Sequence, residues 1–240
     1  MKLPTGVGSP ASDARDAIAE ATAACQRVNT LTAEVAVSGS LGGDRVRGRM
    51  LVGVARPASA RLEAAAPFGA PLFIFVARNA DATLLLPRDD RVLQHGRPDA
   101  VLEAVAGVPL DPTELRATLT GCAQAPDVDG ARVTGDDWRV VRDGSAELYL
   151  RRASRGAPWR IVAEIRPEWR AEYRDFLNDL PRTIRLTSSR DKAFDLKLAL
   201  TQVDVNTGLG ADAFSVQIPG SARPIALDEL RHARPGVRKD

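Results

Sequence analysis

Alternation with a period of two runs through most of this chain and limits what it can become. In AFDLKLALTQVDVN, residues 193–206, Phe194, Leu196, Leu198 and Leu200 point one way. Asp195, Lys197, Ala199 and Thr201 point the other. Successive side chains of a strand alternate between faces, so this is the pattern of a half-buried antiparallel strand. It recurs in LTAEVAVSGSL and, after a tight turn placed at Gly43–Asp44, in RVRGRMLVGVARP. There Val46, Met50, Val52 and Val54 share one face. Arg45, Arg47 and Arg49 share the other, which reads as solvated and convex. SARLEAAA, PLFIFVAR, ATLLLPR and RVLQHG follow, separated by Pro67-Phe68-Gly69, Asn79–Asp81 and Arg88–Asp90. Short apolar runs between turn residues predict an antiparallel meander.

The period changes twice. Residues 11–28 predict an N-terminal helix with Ser12 as N-cap and Ala14, Ile18, Ala21 and Cys25 on one face. RPDAVLEAVAGVPLDPTELRATLTGC predicts two short helices, 98–106 and 112–121, joined by a Val-Pro-Leu bend. Asp111 caps the second, Pro112 suits its first turn, Glu114 sits third, and Gly121 stops it. Strands resume near 130 and run to 206, and an irregular tail closes the chain.

The expected class is mainly β (α+β): a single curved antiparallel sheet of about eleven strands forming an unclosed barrel. The two helices are inserted between strands six and seven. No linker divides the chain, so one domain is expected over 11–220, after a flexible tether 1–10 and before a tail 221–240. The opening MKLPTGVGSPASDARD lacks the apolar centre of a signal peptide, and Met1 is expected to replace a natural residue.

Composition narrows the function. Lys plus Arg is 33 against 31 Asp plus Glu, and the arginines are spread along the chain, so nucleic-acid binding is not expected. No apolar run reaches the length of a membrane-spanning helix. The two histidines, His95 and His232, read as surface groups without ligand spacing to a cysteine, so no metal or cofactor is expected. Cys25 and Cys122 read either as buried small apolar residues or, in an oxidising compartment, as a disulfide. Asp89–Asp90 and Asp136–Asp137 are adjacent pairs of hairpin turns, not facing carboxylates. No catalytic motif is present, and the chain is not expected to be an enzyme.

The apolar content asks for another account. Three helices make a thin cover for so many strands, so the inward face either closes into an ordinary core or lines an apolar cavity. Such a cavity suits acyl chains. The candidates for it are Met50, Val52, Leu62, Ile74, Leu115, Leu119, Ile184, Leu186, Leu196, Leu198 and Leu200. AAAPFGAPLFIFV, residues 64–76, raises a separate question, because Phe68 stands at the tip of a turn, where polar residues are usual. Either it folds back onto the sheet edge or it is held out for a purpose.

The order of elements resembles the LolA/LolB lipoprotein-localisation superfamily, and the outer-membrane receptor LolB more than the carrier. APFGAPLFIF is similar to the receptor's Pro-Leu-Gly turn and following strand. AVLEAVAGVPLDPTELRATLTG is similar to its paired helices, and PRTIRLTSSRDKAFDLKLALTQVDVN to its late hairpin. The resemblance implies an open barrel whose helical lid covers a cavity for lipoprotein acyl chains. It implies a membrane-inserting turn formed by Pro67, Phe68 and Gly69. It also implies a monomer that partners acylated lipoproteins, a periplasmic LolA-type carrier and the outer-membrane lipid surface. The location implied is the periplasmic face of the outer membrane, through a lipid anchor absent from this chain, or the periplasm itself. A Cys25–Cys122 disulfide would persist there and tie the first helix to the end of the lid. The tail ADAFSVQIPGSARPIALDELR fits broader lipid-binding relatives better. That leaves a carrier, a combined carrier and receptor, or a filled-core interaction module as alternatives.

Overall fold

The computed structural model describes residues 1–66, 68–189 and 193–233. β1 (Ser9–Pro10) and α1 (Ala14–Gln26) come first. A six-strand meander follows: β2 (Thr30–Leu41), β3 (Asp44–Ala55), β4 (Ser59–Ala65), β5 (Phe73–Arg78), β6 (Asp81–Leu86) and β7 (Arg91–Gly96). Then come α2 (Pro98–Ala106) and α3 (Pro112–Thr120). Seven strands succeed them: β8 (Pro126–Val133), β9 (Trp138–Asp143), β10 (Ala146–Arg151), β11 (Arg160–Ile165), β12 (Trp169–Arg174), β13 (Thr183–Ser188) and β14 (Phe194–Val205). A 3-10 helix (Ala211–Phe214), β15 (Arg223–Pro224) and α4 (Leu227–Ala233) close the chain.

The class is mainly β, as the period-two segments require. Fifteen strands are described, not about eleven. β1 and β15 are two-residue pairings made by segments without alternation. The chain forms two compact units, each discontinuous. The first is Met1–Arg27 with Ala117–Asp191, and the second is Val28–Arg116 with Lys192–Asp240. No composition shift marks these divisions, which is why the sequence reads as one domain.

In the first unit the strand order is β1-β8-β9-β10-β11-β12-β13, with every neighbour antiparallel. α1 packs across β8 to β11 with Ala14, Ala17, Ile18, Thr22 and Cys25 buried, the spacing of one helical face. Its N-cap is Asp13, not Ser12, and the Asp13 side chain makes no cap bond. Arg139 Nε and Nη2 donate to both Asp13 oxygens at 2.6 and 2.7 Å. That hydrogen-bonded guanidinium holds the carboxyl below its ordinary range. Arg139 and Arg152 also lie over Trp159, each 4.8 Å from its ring centre. The opening segment is packed where a loose tether was expected. The Met1 ammonium meets Glu172 at 2.9 Å, and Met1 and Leu3 pack on Val140, Tyr149 and Ala163.

In the second unit the order is β14-β2-β3-β4-β5-β6-β7-β15, antiparallel except that β15 runs parallel to β7. Leu41 faces Asp44, so the β2–β3 turn is Gly42-Gly43. Both glycines have positive φ, 60° and 92°, which a two-residue hairpin of this hand needs. α2 buries Val101, Leu102 and Val105. It sits close to β7 at Gly96, where a Cβ would meet Val101 Cγ2 at 2.4 Å. Gly107 ends α2 with φ 76°, and a Cβ there would meet Leu41 Cδ1 at 2.2 Å. α3 opens with a reciprocal capping box. Glu114 N–H donates to Asp111 Oδ1 at 2.8 Å, and Asp111 N–H donates to Glu114 Oε2 at 3.2 Å.

Candidate functional site

The β4–β5 turn, residues 66–72, is the feature least explained by folding. Phe68 is 88% exposed. It does not fold back onto the sheet edge. Burying a phenylalanine stabilises by about 1.5–3 kcal/mol, so leaving one in water forgoes that gain. Gly69 beside it has φ 76°. Pro67 lies outside the described residues. The turn is braced from below. Arg88 Nη2 donates to the Phe68 carbonyl at 2.5 Å and Nε to the Ala70 carbonyl at 3.0 Å. One guanidinium thus holds the tip carbonyl and the one two residues beyond it, on either side of Gly69.

The inward wall of the second unit follows from register, because residues directly opposite share a face. Leu200, Val35, Met50, Ala64 and Phe73 form one such row. Ala33, Val52, Leu62, Phe75 and Leu84 form the next. Leu196 and Leu198 continue the Leu200 face along β14. Met50, Val52, Leu62, Leu196, Leu198 and Leu200 therefore share a wall. Ile74 does not. It pairs with Glu63 and Leu85 and lies on the opposite face. The seven-residue turn before β5 hides the register, and a one-residue change reverses every face.

Leu115 and Leu119 are buried on α3, and Ile184 and Leu186 on β13. The β13 pair faces a wall with polar groups in it. Leu186, Ala171, Glu164, Leu148 and Val141 make one row, beside Ile184 and Tyr173. The Tyr173 hydroxyl donates to Glu164 Oε2 at 3.1 Å, and Arg166 Nε donates to Glu164 Oε1 at 2.6 Å. Burial, with the Glu164 carboxylate beside it, pushes the Tyr173 phenol well above its ordinary value. Simple alternation in WRIVAEIR turns Glu164 away from Ile161. A bulge between Tyr149 and Leu150 sets Leu150 against Ile161 and Leu148 against Glu164, so both face inward. The inward wall of the first unit thus carries a hydrogen-bonded polar pair among its apolar side chains.

Apart from Met50 and Ile74, which are half-buried, the cavity candidates are 0–8% exposed. Cys25 and Cys122 form a disulfide within the first unit, with Cα atoms 5.6 Å apart across 97 positions. It joins the last turn of α1 to the chain just after α3.

A cleft of about 360 Å³ opens on the outer face of the second unit. Thr32, Glu34, Leu51, Gly53, Arg61 and Glu63 line its strand side, and Leu209, Ala213 and Phe214 its other wall. Arg61 holds the tail there, donating to the Ser215 carbonyl at 2.8 Å. Sequence reasoning missed this cleft, since the tail that builds it has no periodicity. Among the described residues no cluster of three metal-ligating side chains occurs. His95 and His232 are exposed. Asp89–Asp90 and Asp136–Asp137 lie in the β6–β7 and β8–β9 turns. No helix among the described residues is long and apolar enough to cross a membrane.

No protein-family model matches the sequence, and no curated protein matches it. Solved structures do. A LolA superfamily protein from Nitrosomonas europaea superposes with a TM-score of 0.58 at 13% identity, over 88% of this chain and 99% of the other. A DUF1329 family protein from Desulfovibrio piger gives 0.56 at 10% identity, over 86% and 98%. A proposed outer-membrane lipoprotein-sorting protein domain from Vibrio parahaemolyticus gives 0.52 at 13% identity, over 84% and 97%. At these identities the likeness establishes the fold alone, which this chain shares with those three proteins.

Proposed function

We propose that this chain is a lipid-handling protein without enzymatic activity. It accepts the acyl chains of lipoproteins on its inward apolar wall and delivers them to a membrane in the manner of a LolB receptor. The observation that carries this reading is Phe68, an 88% exposed aromatic on a turn braced by Arg88. An apolar tip held in water has a physical purpose if it enters the boundary between headgroups and acyl chains. The Cys25–Cys122 disulfide supports an oxidising compartment, in keeping with the periplasmic side of an outer membrane. A LolA-type carrier would supply the cargo. Transfer would run down an affinity gradient between apolar sites and need no nucleotide.

The test is transfer of a triacylated lipoprotein from a carrier complex into outer-membrane vesicles. Phe68→Glu is expected to accept cargo yet deliver little of it. Failure of both the native protein and the variant to accept acylated cargo overturns the reading.

A second reading is a protein-interaction module with a filled core. The burial of Val52, Leu62 and Leu200 in the second unit, and of Ile184 in the first, favours it, because side chains so fully covered leave an acyl chain no open wall to lie on. Native mass spectrometry separates the two, since a filled core carries no lipid through purification.

A further inference from the structure

We infer that the end of the second unit bearing Phe68 recognises a negatively charged lipid surface, with Arg45, Arg47 and Lys197 binding the headgroups. This rests on the delivery reading for its purpose, though not for its test.

Register places these groups. The pairing of β3 with β4 stops at Arg49 opposite Ala65, where the turn carrying Phe68 departs. Arg45 and Arg47 belong to the part of β3 that runs on past that point, paired only with β2. The β2–β3 hairpin therefore extends beyond β4 at the same end of the sheet as Phe68. Arg47 faces Ser38, and Ser38 faces Lys197 on β14, so both cations lie on one face across three strands. Arg45 faces Ser40 in the next row. Between the flanking strands, β2 offers only Ala36, Ser38 and Ser40 on that face. Short side chains there leave the cations standing clear of the sheet.

Their charge is available. Arg49 is engaged by Glu34 at 3.0 Å. Arg45, Arg47 and Lys197 are exposed and have no ion-pair partner among the described residues. Asp195 is the acid on this stretch of the face, opposite Ser40, so positive charge predominates. A solvated convex face explains isolated arginines. It does not explain an exposed aromatic at the same end.

The two features are complementary in strength. One aromatic side chain gives a marginal, reversible hold on a bilayer, and stable residence takes a second signal. Each basic group near an anionic surface strengthens binding by roughly fivefold. Arg88 adds preorganisation as a positioning residue, because a tip already fixed loses less freedom on insertion.

The experiment is flotation of the purified full chain, without cargo, with vesicles of phosphatidylcholine alone or mixed with phosphatidylglycerol. Binding is expected on the mixed vesicles and is expected to fall as salt rises. Arg45→Glu with Arg47→Glu is expected to weaken it by more than about twenty-five-fold. Arg45→Ser with Arg47→Ser serves if the reversed charges disturb folding, which circular dichroism reports, and is expected to weaken it by about twenty-five-fold. Phe68→Glu is expected to weaken binding to both vesicle types. Equal binding to neutral and anionic vesicles overturns the inference, as does full binding by a folded arginine variant. If the arginine variants bind vesicles normally but no longer take cargo from a carrier, the row docks a protein and the inference fails. If the native protein binds anionic vesicles but accepts no acylated cargo in solution, the delivery reading fails and this one stands.

Discussion

Phe68 and Phe75 stand seven positions apart in one apolar stretch, yet one is 88% exposed and the other 1%. Phe75 sits mid-strand in β5 with Leu62 and Leu84 directly opposite it on either side. Phe68 sits where the chain reverses, beside a left-handed glycine and under two Arg88 hydrogen bonds. Hydrophobicity is the same in both. Backbone geometry decides which one the core receives, and a braced turn can hold an apolar side chain in water that the strand beside it would bury.

The largest effect that tests this contrast is Phe75→Ala, expected to cost about 3–5 kcal/mol in urea denaturation through lost burial and the cavity left behind. A cost below about 1 kcal/mol would mean the β5 wall is loosely packed. A smaller effect sharpens the account of the turn. Gly69→Ala is expected to cost about 1 kcal/mol from the backbone alone, since no atom lies within 4 Å of the added Cβ while φ is 76°. A neutral result would show the turn relaxing, and Phe68 would then lack a fixed presentation. The smallest effect is Phe68→Ala, expected to change stability by less than about 0.5 kcal/mol. A loss near that of Phe75→Ala would place Phe68 in the core and remove the basis for membrane contact.

Local signals in the chain were legible because they need only nearby residues. The Asp111–Glu114 capping box, the α2 helix over Pro98–Ala106 and the inward leucines of β14 all lie where the spacing predicts. Signals that depend on register were not. Ile74 was assigned to the wrong face because an irregular turn precedes it, and the inward position of Glu164 went unread because a bulge shifts the count by one. The opening ten residues read as a tether because they are polar and irregular. Their anchors, Glu172 and the β8 edge, are more than a hundred positions away.

By itself the sequence determined the strand-rich class, the two-helix insertion and the oddity of Phe68, since side-chain periodicity and capping are properties of a few neighbouring residues. Only the tertiary structure decided that Phe68 stays out, that Cys25 meets Cys122, and that the tail builds a cleft with β3 and β4. Each of these depends on groups brought together from distant parts of the chain, and loop closure between them leaves no periodic trace in the residues it spans.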